Sequence, residues 1–347
     1  MTDVHPFLKL FAKRSAALTS LYYLWDDWQA GRRFLKGDIA SHSGTLHGSL
    51  DLEESLGYIQ AVFEDYLHYS GEAALSGKVA EVGPGDNCGV ALLLLDGGCE
   101  SVDLVDRFYA RRDLARQAAI YRELENRRPG LARRLMGADL EDEGTFPGIR
   151  RCYGEEASAE TFFRAGQAYD LILSRAVLEH VRDPLLAFQR MTEALRPGGL
   201  LLHKVDLQDH GMFSVHHGEL KWLETPRWVH RMMSRASGRP NRVLTHHYRQ
   251  VLASLPLEVD LLVTRLAGVG GIDPHVPYEA IPAELRERSM AFVASRRRHL
   301  ASEFRNVSLE DLSVAGFFMV GRKVQGASDA PELAAPPSGN RTRRAAL

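Results

Sequence analysis

The chain has 347 residues, 45% of them hydrophobic, and a formal charge of -2. It can build a full core, in one large domain or two small ones, and its near-neutral balance argues against a nucleic-acid partner. No apolar run approaches the ~20 residues of a membrane span, and Cys88, Cys99 and Cys152 lack the CxxC spacing of a zinc site, as expected of reduced thiols in a cytoplasmic protein.

Residues 1–77 read as an N-terminal helical cap. The opening MTDVHPFLKLFAKRS lacks the uninterrupted apolar core of a secretion signal. Phe7, Leu8, Phe11, Leu18, Leu21, Tyr22, Trp25 and Trp28 recur at near-helical spacing. That pattern predicts helices whose apolar face packs on the main domain; a membrane-surface helix or a substrate-access lid are the alternatives. A polar loop spans residues 37–48. Asp51 then caps a helix, with Glu54 three residues on and an apolar stripe from Leu52 to Leu67.

Residues 78–108, KVAEVGPGDNCGVALLLLDGGCESVDLVDRF, form the strongest pattern in the chain. A short apolar strand reaches Glu81. A turn follows at Gly83-Pro84-Gly85-Asp86-Asn87, then an apolar helix over Val90 to Leu95. A second strand, Ser101 to Val105, ends on Asp106. Strand, glycine turn, helix, strand and acid make half of a nucleotide-binding α/β unit. The glycines permit a tight backbone and let a ligand sit against the main chain. The helix start offers unpaired N–H groups. A carboxylate at the end of the second strand can accept both hydroxyls of a ribose.

The dinucleotide fingerprint G-x-G-x-x-G requires a third glycine where Cys88 stands. The spacing is instead E-x-G-x-G-x-x-x-G. It resembles motif I of the class I S-adenosylmethionine (SAM)-dependent methyltransferases. The resemblance implies that Glu81 and the main chain at Gly83 and Gly85 hold the methionine moiety, and that Asp106 holds the ribose. SAM carries an ammonium and a sulfonium but no phosphate, which suits an acid just before the turn.

A polar helix over residues 110–135 presents a charged, solvated face. Ile149 to Tyr153 reads as a third strand, followed by Gly154-Glu155-Glu156. In the resembled family an acid here reaches the adenine amino group; Glu155 matches, with Glu156 still open. The run AYDLILSRAVLEHV, Ala168 to Val181, gives a fourth strand from Asp170 to Ser174 and then an LEH turn. Asp183-Pro184 starts a helix. Pro197-Gly198-Gly199 stops it, and Leu200 to Val205 is a fifth strand. The order resembles the same family, firmly so over residues 78–206. It implies that Ser174 lies near the methionine end. His180 is the nearest candidate base, although histidines in LEH turns also serve structurally, and His210 is the second choice.

Residues 206–250 are rich in His, Trp and Arg and follow strand five, where a lid over the acceptor is expected. Trp222, Trp228, His210 and His217 are its candidate wall. Asp209, His210, His216 and His217 have no recognised ligand spacing, so no metal is expected. Leu257 to Leu266 and Val314 to Val320 read as the last strands, paired as an antiparallel edge. Between them, residues 282–304 form a helix with a basic end, and the Ala/Pro-rich tail from residue 325 is expected to be disordered.

The expected fold is thus a Rossmann-like, seven-stranded, mostly parallel sheet in an α/β domain over residues 78–324, with the helical cap and the lid. The expected function is SAM-dependent methyl transfer to a small-molecule, sugar or lipid-type acceptor. The rivals are an NAD(P)-dependent oxidoreductase on a similar fold and a non-catalytic SAM-binding protein. Cys88, and a turn without Arg or Lys, count against the first.

Overall fold

Eight strands form the central sheet of the computed structural model, which describes residues 15–41 and 44–325. In chain order they are β1 (Gly77–Val82), β2 (Cys99–Asp106), β3 (Ile149–Tyr153), β4 (Tyr169–Arg175), β5 (Leu195–Asp206), β6 (Leu257–Leu266), β7 (Gly270–Val276) and β8 (Val314–Lys323). Their order in space is β3-β2-β1-β4-β5-β8-β6-β7. The first five pair in parallel, and β8 runs antiparallel to both β5 and β6.

All seven expected strands are present, but the count is eight. β7 was not read from the sequence, and it makes β6 an interior strand. The reason is compositional: GGIDPHV carries two glycines, a proline and no alternation, so neither period nor propensity marks it. It survives as an edge strand, where a proline costs no ladder bond on its open side.

The parallel strands are apolar along their length because both faces of the sheet are covered. Val79, Leu104, Leu173 and Leu202 face one core layer. Helices α1 (Ala16–Phe34), α2 (Leu52–Ser70), α3 (Gly89–Asp96) and α4 (Leu114–Arg127) come first along the chain. Of these, α2, α3 and α4 supply Ile59, Leu93 and Tyr121 to that layer. Ala80, Ile172 and Leu201, one pleat away, face the opposite layer with α5 (Pro184–Ala194). Each buried leucine of α3 contributes about 2–5 kcal/mol by the cost of truncating it.

Local signals hold where a side chain satisfies a helix end. Asp51 and Glu54 close a reciprocal capping box on α2, at 2.8 and 2.9 Å. Asp183 Oδ1 accepts from the Leu186 N–H at 3.0 Å and caps α5. The expected helix over residues 110–135 instead breaks at Arg128, where Pro129 opens a second short helix.

The α1 stripe faces the other way from its expected direction. Leu21 is 60% and Trp28 56% exposed, with Leu18 and Trp25 beside them. The packed face carries Tyr23 and Asp27. Asp27 Oδ1 accepts from the Ala236 N–H, the Ser237 N–H and the Ser237 hydroxyl, each at 2.8 Å. Three donors on one buried carboxylate fix the helix more strongly than its exposed apolar stripe could. Phe7, Leu8, Phe11 and the tail from residue 326 lie outside the described residues.

Residues 206–250 are built into the body of the protein. They fold into short helical turns, α6 (Arg227–Ser234) and the start of α7 (Thr245–Leu252). Trp222, Leu223 and Met233 share a third core cluster with Tyr23 of α1 and with Val293 of α8 (Ala283–Arg296).

Candidate active site

The sheet reverses its strand order between β1 and β4, and ligands of open α/β sheets bind outside the carboxyl ends at such a point. A cavity of about 370 Å³ lies there. Gly83, Gly85, Asp106, His180 and His210 line it, together with Arg107, Phe108, Ser158, Arg175 and Gly238. Five of the eight expected site residues therefore converge.

The other three are not on its wall. Ser174 is fully buried within β4 and its hydroxyl bonds His203 Nδ1 on β5 at 2.8 Å. A strand residue pointing into the sheet layer cannot also face the sheet's end. Glu155 is turned outward, paired with Arg107 at 3.0 Å and Arg182 at 2.9 Å. Glu81 lies buried beneath the glycine turn with Oε2 unpartnered.

The turn itself is held from several sides. Asp86 accepts from the His47 and Gly48 N–H groups at 3.4 and 3.1 Å, drawing the segment before α2 onto the cavity. Arg112 donates to the Gly85 carbonyl at 3.1 Å and pairs with buried Glu143. Gly83 and Gly85 have φ of 72° and 68°, which only glycine adopts freely. A Cβ at Gly85 would stand 2.9 Å from the Gly44 oxygen. The neighbour that excludes a side chain there is thus protein backbone, not only a ligand.

Two acids give the cavity its chemistry. Burial pushes the Asp106 carboxyl up to about 6, although Oδ1 accepts from the Phe108 N–H at 2.8 Å. Burial likewise pushes Glu81 up to about 8, against the pull of the Arg112 guanidinium. The Glu81 carboxyl is under-satisfied, with Oε2 unpartnered, whereas Asp106 already accepts from the Phe108 N–H. Ribose hydroxyls donating to Asp106 and a cation near Glu81 are both compatible with these acids, so the residues fit such a group.

At the far end, His180 Nδ1 bonds the Gly238 carbonyl at 2.8 Å. A carbonyl only accepts, so Nδ1 carries the proton and Nε2 is left as an acceptor. Burial and the neighbouring His210 push His180 down to about 4, which keeps it neutral near pH 7. The two rings meet edge-on with centroids 4.7 Å apart. Glu179, next to His180, is buried, and that burial pushes its carboxyl well above the usual carboxylate range.

From residues 206–250 only His210, Ser237 and Gly238 reach the cavity wall. Trp222 is buried in the third cluster, Trp228 is 67% exposed, and His217 is elsewhere. The wall expected of them is replaced by residues without an aromatic signal. Asp209 is engaged entirely with its own loop, accepting from Gly211, Phe213 and Ser214. Arg107 and Ser158 escaped the sequence reading, because Arg107 is marked only by following the end of β2 and Ser158 lies in the loop after β3.

A family model described as a methyltransferase domain matches residues 56–256, more than half of the chain. Over 79 residues the chain is 34% identical to a ubiquinone biosynthesis O-methyltransferase of Ruegeria pomeroyi, covering 20% of this chain and 31% of that protein. A protein of the same description from Dinoroseobacter shibae is 34% identical over 77 residues, covering 20% and 30%. The chain thus spans about a third of the length of these relatives. A SAM-dependent methyltransferase structure from Mesorhizobium loti is similar at 13% identity and a TM-score of 0.40, over 76% of this chain and 99% of that one. That likeness is too distant to bear on function.

Proposed function

The chain belongs to the methyltransferase-domain family, and from that premise we propose that it binds SAM in the cavity between β1 and β4 and directs methyl transfer to a hydroxyl of a small organic acceptor, including sugars and lipid-type molecules. The observation that carries the reading is Asp106 at the carboxyl end of β2, on the cavity wall beside the Gly83–Gly85 turn. The O-methyltransferase description of the two partial relatives supports oxygen as the nucleophile.

SAM supplies an activated methyl group on a sulfonium. Because that group needs little further activation, the chain contributes positioning and exclusion of water. Asp106 accepts the ribose hydroxyls. Glu81, beneath the turn, stabilises the ammonium end through the field of its ionised form. Phe108 and Val177 narrow the apolar walls. His180 Nε2, neutral and free to accept, faces the acceptor end and takes up or orients the acceptor's proton. His210, Ser237 and Gly238 line the cavity beside His180 and set which acceptors enter.

Two measurements test this. Calorimetry should show SAM and S-adenosylhomocysteine binding at micromolar levels and no NADH binding. Incubation of metabolite pools with isotopically labelled SAM should then yield a labelled methyl ether. Tight NADH binding without SAM binding would remove the assignment.

A further inference from the structure

A second cavity, of about 230 Å³, opens at the carboxyl edge of the sheet and meets the first at Arg175 and Ala176, which line both. We propose that it is an anion subsite: it holds the carboxylate or phosphate group of the methyl acceptor, so that the acceptor is an acid whose hydroxyl reaches into the first cavity. The proposal deepens the methyltransferase reading and rests on it for the ligand's fate, whereas the anion site itself rests on geometry.

Strand register gathers the cations. Arg175 ends β4 and pairs with Lys204 of β5. Asp206, Gly316 and Arg265 stand on one rung across β5, β8 and β6. Arg175 and Lys204 come one full pleat after Leu173 and Leu202, so both side chains project from the face that α2 covers. There they share one oxygen of Asp65 on α2, at 2.6 and 3.2 Å. A single carboxylate oxygen thus serves two cations. The third cation on the wall, Arg265, has no side-chain hydrogen bond or ion pair among the described residues, and the Thr264 hydroxyl beside it is likewise uncommitted. Gly316 keeps the space next to them open, since a Cβ there would stand 2.7 Å from Thr264 Oγ1. Of the nearby acids, Asp206 accepts from the Gln208 N–H at 3.0 Å and faces His210 at 3.5 Å. Asp273 is exposed, outside the wall.

Lys204 is aimed. Its ammonium donates to His275 Nε2 at 2.9 Å. His275 is fixed in turn by its Nδ1 bond to the Ile272 carbonyl at 2.8 Å and by a parallel stack on Tyr69 with centroids 4.9 Å apart. Asp65 and His275 engage two of the three ammonium protons, and the third is left for a ligand. Burial and the neighbouring Arg175 push Lys204 below its usual range, as crowded like charges do. An anion relieves that crowding: the Arg265 guanidinium offers a planar fork to two oxygens, Lys204 a point charge and Thr264 a hydroxyl.

Ala176 lets the two cavities communicate. It is exposed and carries only a methyl group, and its N–H bonds the Lys204 carbonyl at 2.9 Å. An acceptor lying over it keeps its anionic group on Arg265 and Lys204 and its hydroxyl beside His180 and His210.

The test uses the full chain in chloride buffer of constant ionic strength, titrated by calorimetry with inorganic phosphate, with acetate and with SAM. Phosphate or acetate should saturate one site per chain at millimolar Kd or tighter, and the tighter of the two names the acceptor's acidic group. Arg265→Ala and Lys204→Met should each weaken that anion at least tenfold and leave SAM affinity within about threefold. In the incubation with labelled SAM, the methylated product should be retained by an anion exchanger. If Lys204→Met does not fold, Arg265→Ala, which removes a side chain without partners, decides. Absent saturation, or an anion affinity that survives Arg265→Ala, overturns the subsite. Loss of SAM binding in folded Arg265→Ala would give the pocket to the carboxylate of SAM itself, and a labelled product that passes through the exchanger would make the acceptor neutral; either result overturns the proposal. Anion binding by a chain that binds no SAM would instead overturn the methyltransferase reading and leave the anion site standing.

Discussion

The side chain of Val177 occupies the space that a Cβ on Gly83 would need: the added atom would stand 2.3 Å from Val177 Cγ2. The turn after β1 and the loop after β4 are thereby locked together across the point where the strand order reverses. Gly83→Ala must push Val177 aside and adopt φ 72° as well. The expected loss is about 2–5 kcal/mol, from overpacking and left-handed strain together. Denaturant unfolding measures it. Adding Val177→Ala should recover only the overpacking share, and full recovery would show that the backbone conformation costs nothing.

Asp106→Ala should weaken SAM binding by roughly 2–4 kcal/mol, because two charge-assisted hydrogen bonds are lost. Asp106→Asn should fall between. The Phe108 N–H also loses its partner in the alanine variant, so calorimetry has to be read on protein shown to be folded. Unchanged SAM affinity in such a sample would assign the ribose to another residue.

Glu81 links stability to pH. Its folded value of about 8 lies above the unfolded value near 4.3, so the ligand-free fold holds a proton that the unfolded chain releases. This contribution is fully present below about pH 4.3 and is lost as pH rises through about 8. Glu81→Gln should therefore gain on the parent chain as pH climbs from 5 to 8.5. His180, at about 4, and His203, at about 3, act in the opposite sense below pH 6.5. They cancel in the difference between the two proteins. Parallel unfolding free energies across that range would show that Glu81 is ionised in the fold.

Asp27→Ala should act on the acceptor side. It strips the partner from Ala236, Ser237 and the Ser237 hydroxyl, immediately before Gly238, whose carbonyl orients His180. The expected outcome is a stability loss of about 1–3 kcal/mol and a raised KM for the acceptor, with SAM affinity little changed. A KM that stays put would show that Ser237 and Gly238 hold their place without the carboxylate.

The sequence carried most of the fold because strands covered on both faces are apolar runs and the glycine turn has a fixed spacing. Gly83, Gly85, Asp106, His180 and His210 each sit at a short offset from a strand end, and that offset is what brings all five to one cavity wall. The sequence failed at Ser174, where an offset of one residue turns the side chain from the strand's end into its layer. It failed at Glu155, where two arginines distant in sequence draw the carboxylate outward. On α1 the period was right and the direction wrong, since periodicity marks an apolar face without saying what meets it.

The anchoring of α1 also sets an order of events at the ribosome. Asp27 waits for Ala236, 209 positions further along the chain. At roughly 5–20 residues per second, α1 spends about 10–40 s outside the exit tunnel before its partner has been made. Throughout that interval Leu21, Trp25 and Trp28 stand beside an Asp27 without its three donors. The yield of folded protein is therefore expected to depend on how fast the codons between Asp27 and Ala236 are read.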